Sequence, residues 1–593
     1  MTISKNFTLS TKHQLLILLF LAVGLNINTL FNQYAFDDEM VLIGNTVVQK
    51  GIHGIPEILS HDYYYGIKEI DQTGLSGGRY RPLVLVIFAL EYQFFGANPM
   101  VSHLINILFF ALLITLLYKL LQTYVFKEQN KYLAFVTCLI FAVHPIHTEV
   151  IANVKSRDEI ISFILLIVSL ISFIKHLEKR SLGHFLNGLF CFLLALLTRE
   201  SAAAFVVVIP LIFYFFFSQT IKKLILFSLP LIGVFIGYLL LRFSIIGYKT
   251  YGASEILNAP FLYADASQAI ATKVFLLIKY IWLLVFPYPL SSDYSYNQIP
   301  YIELNSIKFI FSILLLFGLS AFAVLKFKSR SIYSFSIIYF MVTIFLLANF
   351  AVNIGAPLAE RFLFQPSLAF CIVASGLYIS MASRFKFLAN SILIIILLLF
   401  SVKTVLRNSD WKNNETLFLT DVISAPNSVK LNLYAAKCSI TKAQTEANRE
   451  LRDEYFRNAV NFDERLLKIY PNYSSIDIYK DLGAAYLGLN DYFKAADLWL
   501  LAYKSDAAFS GQINGLSDII FNEGNKFYKK GNTDAAIKCY RKSLELNFNN
   551  IDAWHNLSKS YSFINDKTNA IAAWQNVILL DDKHQFSNEG YNK

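Results

Sequence analysis

Long apolar runs alternate with short polar connections through the first two thirds of the chain. A helix needs about 20 apolar residues to cross a bilayer. Runs of that kind occur near 13–31, 101–123, 159–175, 201–218, 223–242, 305–326, 332–350, 362–381 and 387–405, with shorter ones at 132–146 and 183–198. The pattern predicts eleven spans. Two further apolar stretches are ambiguous: 82–95 is interrupted by Glu91 and Gln93, and 270–287 carries Lys273 and Lys279. Both are read as lying in the outer interface without crossing. Pro82 suits the first turn of a surface helix.

The periodicity changes after Arg407. Tyr479, Leu482, Gly483 and Tyr486, followed by Ala495, Trp499 and Ala502, match the 34-residue tetratricopeptide pattern. Ile520, Gly524 and Phe527 with Ala536 and Tyr540 repeat it, as do Trp554, Leu557, Ser558 and Tyr561 with Ala570 and Trp574. A degenerate earlier repeat is read over 428–472, with an insertion around 441–452. Small residues let the two helices of a repeat approach while aromatics fill the space between them. Three or four repeats must stack, because one repeat cannot bury its own face. The expected fold is therefore all-α: a polytopic membrane domain over 1–406, with a first outer loop at 32–100, and a soluble repeat α-solenoid over 407–593.

Composition agrees. The chain of 593 residues is 55% hydrophobic and only 16% charged, against about 25% charged in soluble domains. That excludes a wholly soluble enzyme and a disordered chain. From Leu406 onward, basic and acidic residues balance at 23 each, so the whole net charge of +10 belongs to the membrane part. Basic residues there set topology and do not point to nucleic acid. Lys5 and Lys12, Lys127 and Lys131, Lys175 to Arg180, Lys222 and Lys223, Lys326 to Arg330, and Arg384 with Lys386 fall on one face under the eleven-span reading. That face is the cytoplasm, which puts the N-terminus inside and the repeats outside. The five cysteines form no CxxC pair and no disulfide framework.

The long connections gather on the outer side, and so do the residues able to do chemistry. Asp37, Asp38 and Glu39 follow the first span; adjacent carboxylates repel and raise at least one pKa. Arg79 and Arg81 close that loop. His144, His147 and Glu149 open the next outer connection, and Arg157 and Asp158 close it. Glu200 stands between two short spans, and Glu360 with Arg361 at the last outer loop. Each alone reads equally as an interfacial anchor. Their placement on one face favours function. The His-Pro-Ile-His-Thr-Glu run lacks the spacing of a zinc-binding helix, so no metal is expected.

Asp37-Asp38 after the first span, Tyr-Arg-Pro-Leu at 80–83, Phe141-Ala-Val-His-Pro-Ile-His-Thr-Glu149 and Glu360-Arg-Phe-Leu-Phe-Gln-Pro-Ser367, with the repeats behind them, resemble the transmembrane-and-tetratricopeptide protein O-mannosyltransferases, the TMTC type. The resemblance implies a GT-C glycosyltransferase that uses a polyprenyl-phosphate sugar and has its catalytic acidic motif in the first outer loop. It implies Asp37 or Asp38 as the base for an acceptor hydroxyl. It makes Arg79, Arg81, His144, His147, Glu149, Arg157, Asp158, Glu200, Glu360 and Arg361 contacts of donor or substrate. The expected activity is transfer of a hexose, mannose by resemblance, to hydroxyls of exported proteins with inversion. The partners are the lipid-phosphate donor, a protein or glycan acceptor held by the repeats, and membrane lipid, with no cofactor and weak or no metal dependence. The expected location is a bacterial inner membrane with periplasmic repeats, or the endoplasmic reticulum with lumenal repeats in a eukaryote. Two rival readings are a GT-C enzyme acting on a polysaccharide or lipid, and a non-enzymatic membrane scaffold that docks partners through its repeats.

Overall fold

Apolar runs of this length become helices because in hydrocarbon every backbone amide must bond within its own segment. The computed structural model describes residues 10–67, 78–247, 256–351, 353–473, 476–506 and 509–580. Lys5 and parts of two predicted outer connections, 68–77 and 248–255, lie outside the described residues. The described residues are helical with no strand, as the sequence predicts.

Seven helices among the described residues are long and apolar enough to cross a membrane: Thr11–Phe31, Pro99–Val125, Val154–Lys179, Ile221–Ile246, Ala266–Val285, Ile307–Leu325 and Lys386–Asp410. The pair Leu133–Val143 and Pro145–Ala152, bent by 55°, makes an eighth when counted as one span. Predicted spans at 183–198, 201–218, 332–350 and 362–381 fall on the shorter apolar helices Leu182–Thr198, Glu200–Phe216, Ile332–Phe345 and Ser367–Ala382. Ala266–Val285, assigned to the interface from its lysines, is instead of span length. The charges do not interrupt it: Lys273 lies 5.0 Å from the Phe261 ring centroid and Lys279 lies 5.8 Å from that of Phe275, where cation–π attraction offsets part of the cost of a charge on an apolar helix. Leu314, Phe317 and Leu325 on Ile307–Leu325 are exposed, as lipid-facing side chains are.

The 55° bend has a local cause. Pro145 has no amide hydrogen, and the residue before a proline is pushed to extended backbone. His144 accordingly has ψ 121°, and its Nδ1 accepts from the Ile146 amide to start the next turn. The helix Pro82–Phe95 starts at its proline as predicted and ends at Gly96, whose φ of 63° favours glycine.

The chain divides into two compact units, Met1–Leu431 and Asn432–Lys593. The boundary lies 25 residues later than the sequence reading placed it. Asn414–Ser424 is a polar-looking helix, yet Asp421 pairs with the buried Arg407 guanidinium, and Asn414 Oδ1 accepts from the Phe36 amide at 2.6 Å. These bonds tie 407–431 into the first unit.

Helix pairs build the repeat unit: Ile476–Gly488 with Tyr492–Ser505, Ser510–Lys529 with Thr533–Leu546, and Ile551–Phe563 with Lys567–Leu580. The degenerate repeat is a pair too, Val429–Thr445 and Arg449–Ile469, and the stretch read as an insertion is the end of one helix, a turn and the start of the next. The small positions work as the pattern requires. A Cβ on Gly483 would stand 2.1 Å from Trp499 Cδ1, and one on Gly524 would stand 2.7 Å from Tyr540 Cε1. Gly524→Val is therefore expected to lower the stability of the repeat unit by about 1–3 kcal/mol through overpacking. Denaturant unfolding of the repeat unit measures it; an unchanged midpoint would show that the two helices part freely there.

Candidate functional site

The turn Ala35–Asp38 leaves the first span in an unusual way. Phe36 has φ 56°, left-handed backbone that a non-glycine residue adopts at a cost of about 1–2 kcal/mol. The Asn414 bond to its amide and the edge-to-face packing of its ring on Phe418 at 5.8 Å hold it there. The turn sends the two carboxylates in different directions.

Asp38 is fully buried. Its Oδ1 accepts from the Lys155 amide at 2.7 Å and its Oδ2 from the Ala35 amide at 3.3 Å. Burial pushes its carboxyl up to about 7 against those amides, and the neighbouring Asp37 anion adds to the rise. Asp37 is partly exposed, with Oδ2 2.8 Å from Lys155 Nζ. Burial alone would raise it, but the Lys155 ammonium and Arg361, with a smaller effect from Lys430, outweigh burial and hold its pKa down to about 2. Two adjacent carboxyls are thus pushed to opposite sides of their ordinary range, a pattern associated with divided roles.

Asp37 lines a polar cavity of about 160 Å³ with Arg79, Lys155, Ser292, Asp293, Arg361 and Lys430 among its walls. These residues come from six separate segments. Arg79 lies 5.6 Å over the Tyr64 ring and donates to the Ile354 carbonyl. Arg361 is set by Glu149, which is fully buried: Glu149 Oε2 accepts from the Arg361 amide at 2.7 Å and its other oxygen pairs with the guanidinium.

Of the residues singled out from sequence, Asp37, Arg79 and Arg361 line this cavity. Asp38 and Glu149 hold cavity residues in place. Arg81 and Asp158 form a buried cluster with the half-buried Glu200 and with Glu159 and Arg199, their neighbours in the same charged runs. A single Asp158 oxygen accepts from both Arg81 and Arg199 at 2.8 Å, and Arg81 Nε meets Glu200 at 2.7 Å. Glu360 is buried and accepts from the Ser291 amide and, at 2.8 Å, from the Tyr294 hydroxyl, which ties the loop 286–298 to the last outer connection. Burial pushes its carboxyl up to about 8, with Arg407 opposing and Glu149 adding to the rise.

His144, His147 and Arg157 do not reach the cavity. His144 Nε2 bonds the Leu284 carbonyl at 2.9 Å, and His147 bonds the Phe141 carbonyl at 2.9 Å and the Ser367 hydroxyl at 2.8 Å between aromatic rings. Arg157 is spent on Glu91, the Asn106 side chain at 2.6 Å and the Ser102 carbonyl at 2.9 Å. These three hold helices together. Among the described residues no group of three His, Cys, Asp or Glu side chains is placed to hold a metal ion.

Sequence reasoning passed over Ser292, Asp293, Arg407, Asp421 and Lys430. The signal was present in Arg407, a charge just past the end of the last apolar run, and not in Asp421, which stands in a polar segment 14 residues further on. Nothing local marked Lys430.

A tetratricopeptide-repeat model matches residues 524–562. Curated relatives include the human "Protein O-mannosyl-transferase TMTC3", 25% identical over 94% of this chain, and the human "Protein O-mannosyl-transferase TMTC1", 26% identical over 75% of it. The "Protein O-mannosyl-transferase F38B6.6" of Caenorhabditis elegans is 25% identical over 71% of it. The matched regions span 67%, 54% and 59% of those relatives' own lengths, respectively. The resemblance carried by the four motifs and the repeats is thus borne out over most of the chain. Together with the apolar helices, it makes this an integral membrane protein.

Proposed function

We propose that this chain is a membrane glycosyltransferase that moves a hexose from a polyprenyl-phosphate donor to hydroxyls of exported proteins, on the extracytoplasmic side of the membrane. The relatives' names supply mannose and a protein acceptor. The observation that carries the reading is the cavity in which an ionised Asp37 stands among Arg79, Lys155 and Arg361.

The chemistry asks for two things. A hydroxyl must lose its proton as it attacks the anomeric carbon, and a phosphate must leave with growing negative charge. Asp37 accepts the hydroxyl's hydrogen bond. With its pKa near 2 it is a weak base toward a resting alcohol. The acidity of that hydroxyl rises steeply as its oxygen bonds to carbon, so the proton passes late. Meanwhile the anion stabilises the oxocarbenium-like charge on the sugar. In one displacement the acceptor oxygen bonds to the anomeric carbon, the carbon–phosphate oxygen bond breaks, and configuration inverts.

Arg79 and Arg361 meet the departing phosphate, as preorganised cations that need no reorganisation during the reaction. Glu149 fixes Arg361 through both its amide and its guanidinium. A donor with one phosphate needs no divalent cation to neutralise a pyrophosphate, so none is called for. The repeats supply a concave surface on which an extended acceptor segment can lie.

The test is transfer from a polyprenyl-phosphate hexose to an acceptor protein by the purified chain in lipid nanodiscs. Arg79→Met is the informative variant, because Arg79 forms no ion pair among the described residues and its loss leaves no carboxylate unmatched. Its kcat is expected to fall about 10²–10³-fold, the loss typical of one charge-stabilising donor, with weaker donor binding. A wild-type rate in that variant would remove the cavity from the reaction.

A further inference from the structure

The cavity's charged groups divide into two sets of different character. Asp37 is paired with Lys155, Arg361 with Glu149, and Arg79 has no carboxylate partner. That set carries one net positive charge and suits a phosphodiester. The second set is Ser292, Asp293 and Lys430. Its charges cancel, and it takes no part in the phosphate chemistry proposed above.

The second set is held by a seam between two distant segments. The Val429 amide donates to the Tyr296 carbonyl at 2.8 Å and the Asn297 amide to the Asn427 carbonyl at 2.9 Å. Asp293 Oδ2 accepts from the Ser428 hydroxyl at 2.6 Å and the Ser295 amide at 2.8 Å, while the Lys430 amide donates to Ser295 Oγ. The segments that carry the carboxylate and the ammonium are therefore joined by hydrogen bonds two residues apart on each, and both residues line the cavity. They nevertheless form no ion pair with each other or with any other described residue. Beside them the Ser292 hydroxyl, only 4% exposed as a residue, has no hydrogen-bond partner, while its own amide is fixed by Asp421 at 2.6 Å. A buried hydroxyl normally has a partner, and each exception calls for an explanation.

A carboxylate with one oxygen uncommitted and an ammonium without an ion pair, both lining the cavity, offer acceptor and donor capacity to the same ligand. Phosphate fits badly, because Asp293 repels it. An array of sugar hydroxyls fits well, since each hydroxyl both donates and accepts. Lys430 is also near enough to Asp37 to lower its pKa, so a ring bound here lies beside the proposed base.

Resting on the glycosyl-transfer reading, we propose that Asp293 and Lys430, with Ser292 in the wall beside them, form the subsite that binds the ring hydroxyls of the transferred hexose and sets which hexose is accepted.

The experiment compares wild type, Lys430→Met and Asp293→Asn as full-length protein in nanodiscs. Asp293→Asn keeps an oxygen for Ser428 and Ser295, and a thermal midpoint checks that both variants fold. Transfer is measured from polyprenyl-phosphate mannose and polyprenyl-phosphate glucose, and binding is measured for sugar-free polyprenyl phosphate. Each variant is expected to lose about 10- to 100-fold in kcat/KM with the preferred hexose, the scale of one hydrogen bond to a charged group. Preference between the two donors should narrow, and affinity for polyprenyl phosphate should stay at the wild-type value. Loss of polyprenyl phosphate affinity in these variants would make the set part of the phosphate site and overturn the proposal. Wild-type rates and wild-type preference in Asp293→Asn would overturn it as well, whether or not Lys430→Met folds. Wild-type protein that transfers from neither donor would instead overturn the glycosyl-transfer reading, and the subsite with it.

Discussion

Asp37→Asn is expected to lower transfer by about 10²–10⁴-fold, the usual loss on removing a general base, while Asp38→Asn keeps most of the rate. The two differ because their surroundings differ. Asp37 faces the cavity as an anion held by Lys155, and the amide cannot take a proton or face positive charge on the sugar. Asp38 is buried against backbone amides with its pKa raised to about 7, so near neutrality it is already partly protonated, and an amide imitates that form.

The pH dependence follows with its sign. Asp37 at about 2 does not titrate in the physiological range. Asp38 has a folded pKa of about 7 above an unfolded value of about 3.9. Its contribution to stability is fully present below about pH 4 and is lost as pH rises through about 7. Thermal midpoints of wild type should therefore drift downward over that window by more than those of Asp38→Asn. Initial rates for both aspartate variants, with folding checked by those midpoints, decide the matter. Abolished transfer in Asp38→Asn with a near wild-type rate in Asp37→Asn would reverse the roles.

Asp421→Ala is expected to destabilise the first unit by about 3 kcal/mol, the lower end of the loss on breaking a buried pair, because it leaves the buried Arg407 guanidinium with only Asp410 at 3.2 Å as its paired carboxylate. Arg407 is 1% exposed and Asp421 is fully buried, and their side chains pair through two hydrogen bonds. The same carboxylate holds the Ser292 amide at 2.6 Å, so the loop carrying Ser292 and Asp293 should loosen as well. Yield in detergent and thermal midpoint measure the loss. The double change Arg407→Met with Asp421→Leu should recover much of the stability, since apolar replacement of a buried pair is often neutral, without recovering transfer. Unimpaired folding of Asp421→Ala would show that Asp410 suffices as the partner of Arg407.

The repeat unit was nearly complete in the sequence. Gly483 and Gly524 stand where a Cβ would strike Trp499 and Tyr540, and the spacing of small and aromatic residues is a local property that any single chain displays. The apolar runs likewise became helices, because length and hydropathy are read along one strand of chain. Counting spans was harder, as Ala266–Val285 shows: whether two lysines end a span depends on rings placed around them by folding.

Within the candidate site, the acidic turn and Arg361 were legible because charges at the ends of apolar runs are costly and conspicuous. What the motifs did not disclose was the division of labour. His144, His147 and Arg157 carry the chemistry-bearing side chains of the most specific-looking segments, yet their polar atoms are consumed by Leu284, Phe141, Ser367 and Glu91. Whether a side chain is free for substrate depends on what satisfies its hydrogen bonds, and those partners come from elsewhere in the chain.

The sequence by itself determined the two kinds of helix, the repeats, the side-by-side carboxylates and the family resemblance, because each rests on composition or spacing within a short stretch. Only the tertiary structure decided that Asp37 faces the cavity while Asp38 is sealed against amides. It also decided that Lys155 and Arg361 surround Asp37, and that Lys430 joins it from nearly four hundred residues away. The physical reason is that electrostatic fields and burial act through space. A carboxyl's pKa and a cation's freedom are set by whichever segments folding brings within a few ångströms, and no local pattern encodes that.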